Sequence, residues 1–318
     1  VDYRALATRS LMNHCTSPRV PFPWTVNPFR GCAMGCRYCY AAYTHEFLGL
    51  SGQDDFHTLV YVKQPDGPDT ERALDRAVRR GELVALGTAT DPYQPAEAEA
   101  RVTRRFLEAV ARRRGVRLAL VTKGALVLRD LALLRRIHRT SRLTVNVSLV
   151  STRDDLLRRL EPWAPSPETR LRVLGQLVGA GLDAGLSIAP VLPGLTDGEA
   201  VLDDLMRRAA AAGVRRVGWR FLFLRSPTRE KFFRWLETDF PHLLPAYRRA
   251  FAGRSYLDGR YQRRVGALLE RLRDRHGLIA ASFEPPPAPG AGDRQLPLFP
   301  GGVQSRDSMG REPIPGGG

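Results

Sequence analysis

The sequence predicts an α/β fold: a parallel β/α array curved into a partial (β/α)6, TIM-like barrel, with an open doubly wound sheet as the alternative. Three observations carry this. Six short apolar runs alternate with stretches of helical periodicity. The stretches between them are long enough for the crossovers that parallel strands require. Polar and conformationally special residues fall just after the runs, where the loops of a barrel converge on one mouth.

The first strand, residues 24–27, leads into a cysteine-bearing loop, and a helix is expected from Tyr40 towards Phe47. Residues 83–87 form a continuous apolar second strand. It is followed by the loop Thr88-Ala89-Thr90-Asp91-Pro92-Tyr93-Gln94-Pro95 and a helix over about 98–113. The third strand, 116–121, ends at Thr122-Lys123-Gly124, and the fourth, 143–147, ends at Ser148 with Ser151 close behind. The fifth, 186–189, ends at Ala189-Pro190, and the turn through Leu192-Pro193-Gly194-Leu195-Thr196 predicts a helix N-terminus capped by Asp197. Residues 217–222 are the sixth. One mouth would then gather the cysteines with Thr88, Thr90, Asp91, Lys123, Ser148, Ser151 and Ala189. Five successive strands ending in this way argue for a site.

Cys32, Cys36 and Cys39 stand at C-x3-C-x2-C, and Cys15 is the only other cysteine. Three thiolates this close can each hold one iron of a cubane, and no obvious fourth ligand lies nearby, which leaves one iron open to a small molecule. Structural zinc prefers four ligands, and the single C-x2-C pair has no second pair to close a tetrahedron; Cys15, His14 or His45 would have to serve. Four cysteines, three of them crowded together, cannot staple a chain of 318 residues, so a disulfide framework is excluded. Free thiols imply a reducing compartment, and a cytoplasmic location is expected. No run approaches the roughly 18 apolar residues of a bilayer span, and Val1-Asp2-Tyr3-Arg4 is no signal-peptide core. A hydrophobic content of 43% allows a sizeable core.

With Tyr40 directly after the third cysteine, residues 31–40 resemble the signature of the radical S-adenosylmethionine (radical SAM) enzymes position for position. The wider pattern resembles the spore photoproduct lyase-related branch, and within it an uncharacterised bacterial subfamily. It runs through Asn27-Pro28-Phe29-Arg30-Gly31-Cys32, Thr44-His45-Glu46-Phe47-Leu48-Gly49, residues 87–95, Thr122-Lys123-Gly124 and Ala189-Pro190-Val191-Leu192-Pro193-Gly194. The likeness spans roughly residues 20–225. It implies the partial (β/α)6 barrel of these enzymes, a four-iron, four-sulfur cluster on Cys32, Cys36 and Cys39, and reductive cleavage of S-adenosylmethionine to a 5′-deoxyadenosyl radical. An electron donor such as flavodoxin or ferredoxin is implied as well. Residue by residue, Tyr38 and Tyr40 would flank the adenine, Thr90 and Ser148 would bond polar groups of the cofactor, and Lys123 would hold its carboxylate. Ala189 would line the adenosine slot, and Thr88 and Asp91 complete the expected cofactor-binding set. One position departs: where the photoproduct lyases carry a hydrogen-donating cysteine after strand two, this chain has Thr88, whose O–H bond is too strong for that exchange. Cys15, if the N-terminal segment folds over the mouth, and Tyr93, as a radical relay, are the candidate replacements, with burial as a small hydrophobe and ring packing beside Pro92 and Pro95 as the alternatives. With no cysteine beyond Cys15, auxiliary clusters are excluded.

Net charge of +16 suggests a polyanionic partner. Between Leu205 and Arg275 eighteen Lys and Arg stand against six Asp and Glu, a net +12, interleaved with Phe232, Phe233, Trp235, Tyr247, Tyr256 and Tyr261. That is the composition of a surface able to follow phosphates and stack bases, so nucleic acid, DNA above all, is the expected partner. Three parts are expected: a barrel over 1–225, a basic helical extension over 226–283, and a disordered Pro/Gly-rich tail over 284–318. The tail contains Gln295-Leu296-Pro297-Leu298-Phe299, which resembles the peptides that dock on the bacterial sliding clamp, with Pro297 in place of the usual Ser or Asp. The expected function is a radical enzyme of DNA repair or modification. The alternatives are a radical enzyme acting on a small molecule or peptide, and a non-catalytic iron–sulfur or zinc protein that binds nucleic acid.

Overall fold

The structure is a computed structural model that describes residues 1–16, 20–52 and 55–281. In chain order the elements are β1 (Asp2–Thr8), β2 (Met12–His14), β3 (Trp24–Val26), β4 (Phe29–Arg30), β5 (Leu59–Pro65), α1 (Asp69–Arg80), β6 (Leu83–Leu86), α2 (Glu97–Ala100), α3 (Val102–Ala111) and β7 (Arg117–Thr122). There follow α4 (Leu131–Thr140), β8 (Arg142–Ser148), α5 (Asp154–Leu160), α6 (Pro167–Gly179), β9 (Asp183–Val191), α7 (Glu199–Ala211), β10 (Arg216–Phe221), α8 (Thr228–Asp239), α9 (Leu244–Ala250), α10 (Gly259–Arg275) and β11 (Ile279–Ala280).

The main sheet runs β2-β3-β6-β7-β8-β9-β10-β11, with its six central strands parallel and in sequence order. These are the six strands expected from the apolar runs. Antiparallel β2 lies beyond β3 and parallel β11 beyond β10, so the two outer strands of the six meet other partners instead of each other and the barrel stays incomplete. Strand residues Val84, Leu118, Leu120, Val145, Val147, Leu186 and Ile188 pack against Phe106, Leu107, Leu134, Ile137, Leu174 and Leu205 of the helices. Full burial of each such side chain contributes about 1.5–3 kcal/mol. Helix α1 shows the local logic: Asp69 and Glu71 in its first turn and Arg79 and Arg80 in its last complement the helix dipole, and Gly81 ends it with φ of 63°.

Three local expectations are corrected, and one element was not foreseen. The helix over 98–113 is two helices, because Arg101 adopts φ of 51° and the buried Glu97 carboxylate accepts from the Thr103 and Arg104 amides, which caps α3 separately. Residues Tyr40–Leu48 coil as a 3-10 helix. Gly198, not Asp197, is the N-cap of α7; Asp197 instead accepts from the Gly194 amide at 2.7 Å and the Tyr261 hydroxyl at 2.9 Å. A second sheet, β1-β5-β4, was not expected; the polar, mostly exposed β1 carries no apolar alternation to reveal it.

Helices α8, α9 and α10 follow the last barrel strand. Phe232, Trp235, Tyr247 and Phe251 bury their rings against one another, with centroids 5.2 to 6.2 Å apart, so these aromatics of the basic stretch form a core and are not available to stack bases. Tyr256 and Tyr261 remain half-buried. The Thr228 hydroxyl donates to the Cys39 carbonyl at 2.7 Å, fastening the start of α8 to the cysteine loop. Among the described residues no helix is long and apolar enough to cross a membrane. The tail over 284–318, with Gln295 to Phe299, lies outside the described residues.

Candidate active site

The C-terminal ends of the central strands surround a cavity of about 490 Å3. Cys32, Cys36 and Cys39 line it, as do Thr88, Thr90 and Asp91 after β6. Lys123 after β7, Ser148 at the end of β8 and Ala189 within β9 complete the expected wall, and Tyr38 and Tyr40 join it from the cysteine loop. Every residue expected to hold the cluster or the cofactor is thus at one mouth.

The cysteine loop is held by its backbone. Gly31 and Gly35 take φ of 89° and 70°, which only glycine adopts without strain. The Cys32 amide donates to the Phe56 carbonyl at 2.9 Å, and the Arg37 amide to the Leu160 carbonyl at 2.9 Å. Gln94, fully buried, accepts from the Ala33 amide at 2.9 Å and donates to the Gly31 carbonyl at 3.2 Å. Asn27 does the same for the loop after β6, accepting from the Ala89 amide at 2.7 Å and the Thr90 amide at 3.2 Å. Asp91 accepts from the Thr122 hydroxyl and the Lys123 amide, both at 2.6 Å, and from the Tyr93 amide at 2.9 Å. Its carboxylate thus fixes the strand ends and positions Lys123 at the cavity wall. The Thr90 hydroxyl donates to the Phe29 carbonyl at 3.2 Å, and that of Ser148 to the Ala189 carbonyl at 3.4 Å, which leaves each oxygen able to accept.

Behind the cysteines lies an ionic group that sequence reasoning missed. Glu161 and Arg170 pair at 2.5 Å with side chains 0% and 1% exposed, and the Tyr38 hydroxyl donates to the same carboxylate. Arg170 also donates to the Pro165 carbonyl at 2.7 Å and the Ser148 carbonyl at 3.1 Å. Lys123 places its ammonium 5.8 Å over the Tyr38 ring. Burial opposes the Lys123 charge, yet Cys36 and Glu161 beside it hold the ammonium above its ordinary pKa. Burial raises Tyr38 well above the phenol range, with Glu161 adding to it. Glu161 and Arg170 are nine positions apart with a loop between them, a spacing that carries no periodic signal.

Three expected residues stand elsewhere. Tyr93 is 2% exposed and its hydroxyl donates to Asp130 at 3.2 Å, within a network completed by Arg104 and Arg129. It is not among the cavity walls, and Asp130 rather than a substrate is its partner. Cys15 is buried with its sulfur 3.9 Å from the Thr25 hydroxyl and its amide on the Pro23 carbonyl at 2.7 Å, and it is not among the cavity walls, whereas Val20, Pro21 and Phe22 are. Ser151 is fully buried and accepts from the Arg153 amide at 3.1 Å, also away from the mouth.

The three cysteines fit an iron–sulfur cubane. All are free thiols around one cavity, and burial pushes Cys32 up to about 12 and raises Cys36 and Cys39 as well, so each is a protonated thiol that would give up its proton on binding iron. Among the described residues no three His, Cys, Asp or Glu side chains converge as for one metal ion. A cubane offers its irons at separate corners, so its ligands stand apart. The candidate fourth ligands of a zinc site are engaged elsewhere: the His45 ring bonds the Leu59 carbonyl at 2.9 Å, and the His14 ring packs edge-on against Trp24 at 4.8 Å.

An incomplete parallel barrel with three cysteines at its mouth defines a class, and residues 26–214 match the Radical SAM superfamily. The chain belongs to that superfamily: it is an enzyme, and its family uses a [4Fe-4S] cluster with S-adenosylmethionine. It is 37% identical over 284 residues to an uncharacterised protein of Mycobacterium tuberculosis, covering 89% of this chain and 81% of that one. An uncharacterised protein of Methanocaldococcus jannaschii is 25% identical over 235 residues, 74% of this chain and 83% of the relative. Among solved structures, spore photoproduct lyase complexed with dinucleoside spore photoproduct superposes with a TM-score of 0.69 at 16% identity, over 87% of this chain and 81% of that one. Streptococcus suis SuiB bound to S-adenosylmethionine gives 0.53 at 12% identity, over 81% of this chain and 49% of that one. The expected relationship to the spore photoproduct lyase branch is thereby matched at the level of the fold.

Proposed function

We propose that Cys32, Cys36 and Cys39 hold the cluster and that the enzyme acts on nucleic acid, in DNA repair or modification. When bound, the cluster and S-adenosylmethionine supply a radical able to abstract hydrogen from an unactivated carbon. The chain's own residues position and shield. Lys123 offers an ammonium for the cofactor carboxylate, and Asp91 fixes the backbone that carries it. Thr90 and Ser148 offer acceptor oxygens, Tyr38 and Tyr40 offer ring faces, and Ala189 lines the adenosine slot. The buried loop and the segment from Val20 to Phe22 keep bulk water from the mouth.

The observation that carries the nucleic-acid substrate is a set of exposed arginines in the helical layer: Arg248, Arg249, Arg254, Arg260, Arg263 and Arg264, none in an ion pair with a described carboxylate. A polyanion neutralising them releases counterions, so its affinity falls linearly with the logarithm of salt concentration, with slope of about −0.9 per phosphate on duplex DNA. The test is oligonucleotide binding from low to high salt, with Arg260→Glu/Arg263→Glu expected to weaken binding and flatten the slope. Binding insensitive to salt removes nucleic acid and favours a small molecule or peptide. Anaerobic reduction with S-adenosylmethionine is expected to give 5′-deoxyadenosine, which Cys36→Ala abolishes together with bound iron. Lys123→Ala is expected to weaken cofactor binding and leave iron intact. A flavodoxin- or ferredoxin-type reductant is the proposed electron source. The peptide Gln295 to Phe299 is proposed to dock on the sliding clamp, which deletion of these residues would test by pull-down with purified clamp.

A further inference from the structure

We infer that Arg220 recognises an anionic group of the substrate inside the cavity, a phosphodiester in the nucleic-acid reading on which this inference rests. Among the described residues two cations line the cavity, Lys123 just after β7 and Arg220 on β10, three strands away in the sheet. S-adenosylmethionine brings one carboxylate together with two positive centres. Lys123 stands over Tyr38 beside Cys36 and suits that carboxylate, which leaves Arg220 for a different anion. Among the described residues no side chain supplies one. The Arg220 guanidinium donates at 3.0 Å to the carbonyl of its neighbour Trp219, and among the described residues no carboxylate pairs with it. Burial also depresses its pKa, a cost that a half-buried cation bears without return until an anion arrives.

The backbone sets this position apart. The register of β10 against β9 shifts between Trp219 and Phe221, so Arg220 sits at the irregularity, a device that re-aims side chains beside active sites. Around it the walls are aromatic. Phe22, Phe221, Phe223 and Tyr256 line the same cavity, and the Phe223 and Tyr256 rings lie 4.7 Å apart where a β-bridge joins their segments. A planar fork matched to a phosphate, set among rings that offer faces to a base, is the chemistry of one nucleotide held by its backbone and its base.

The test uses cluster-reconstituted protein with S-adenosylmethionine present. Its probes are a dinucleoside monophosphate and the neutral methylphosphonate counterpart, for each of the four bases, by equilibrium dialysis. Wild type is expected to prefer the phosphodiester by about ten- to a hundredfold, as a charge-assisted hydrogen bond implies. Arg220→Gln is expected to abolish that preference, Arg220→Lys to restore part of it, and both to keep wild-type iron content and S-adenosylmethionine affinity. A preference retained in Arg220→Gln, or a loss of S-adenosylmethionine affinity instead, overturns the assignment of Arg220 while the salt-dependent oligonucleotide binding stands. If wild type binds neither probe nor oligonucleotide, the nucleic-acid reading itself fails, and the phosphodiester assignment with it.

Discussion

Arg170 is the single side chain whose loss should do most damage behind the site. Arg170→Met removes a guanidinium that is 1% exposed, strands the fully buried Glu161 carboxylate, and leaves the Pro165 and Ser148 carbonyls without their donor. Breaking one side of a buried ion pair costs about 3–5 kcal/mol, because the remaining charge keeps its desolvation penalty and loses its partner. The nearby Lys123 ammonium offsets part of this, and the two lost carbonyl bonds add to it, so a net of about 4 kcal/mol is expected. Urea unfolding of anaerobic protein, followed by circular dichroism, reads the change as a shift in midpoint at constant slope. Glu161→Gln should also destabilise, and the double variant should be more stable than the sum of the two losses by about 1.5 kcal/mol or more, since neutralising Glu161 removes the stranded charge. Additive losses, or a cost below about 1 kcal/mol for Arg170→Met, would refute the view that Arg170 and Glu161 stabilise each other as a buried pair.

Lys63 predicts a stabilising substitution. Half-buried on β5, it shares a side of the small sheet with Arg30, Arg4 and Tyr61, and burial together with the Arg30 charge lowers its pKa to about 8. The charged form is therefore disfavoured in the native state: the penalty is complete below pH 8 and fades as the native amine loses its proton before the unfolded one, which titrates near 10.5. Lys63→Met is thus expected to be more stable at pH 7 by up to roughly 3 kcal/mol, an advantage that disappears by about pH 10.5. An advantage independent of pH over that range would show that packing, not charge, is responsible. Gly35→Ala should disturb the cysteine loop, because the added carbon would stand 2.5 Å from the Trp163 ring at a φ of 70°. The substitution is expected to change tryptophan fluorescence, a change that a Trp163→Phe background should remove, and iron retention reports whether the loop still closes.

Much of the fold could be read in advance because its six central strands are short, apolar and separated by helices whose buried faces repeat at 3.6 residues; Val84 to Leu86 and Leu118 to Leu120 are fully enclosed and look so in sequence. The small sheet escaped because β1 is exposed and polar. Its pairing with β5 joins residues nearly sixty positions apart, which no local pattern encodes. In the site, residues whose chemistry follows from type and spacing, the cysteines and Lys123, stand where they were expected. Those defined by their partner do not announce themselves. Glu161, Arg170, Gln94 and Asn27 matter through hydrogen bonds between distant segments, and Asp91 and Tyr93, placed correctly along the chain, proved to face Lys123's backbone and Asp130. The aromatics interleaved with arginine misled for a related reason: composition cannot separate a ring turned outward from one, such as Phe232, that helices close over.

The bond from Thr228 to the Cys39 carbonyl has a mechanical corollary. The cysteine loop and the arginine-rich outer helices are fastened together there, so slackening the first should loosen the second. Stripping iron from the proposed cluster would then be felt away from the thiols, as easier proteolytic nicking near the start of α8, and a polyanion seated on those helices would in turn steady the loop at the third cysteine.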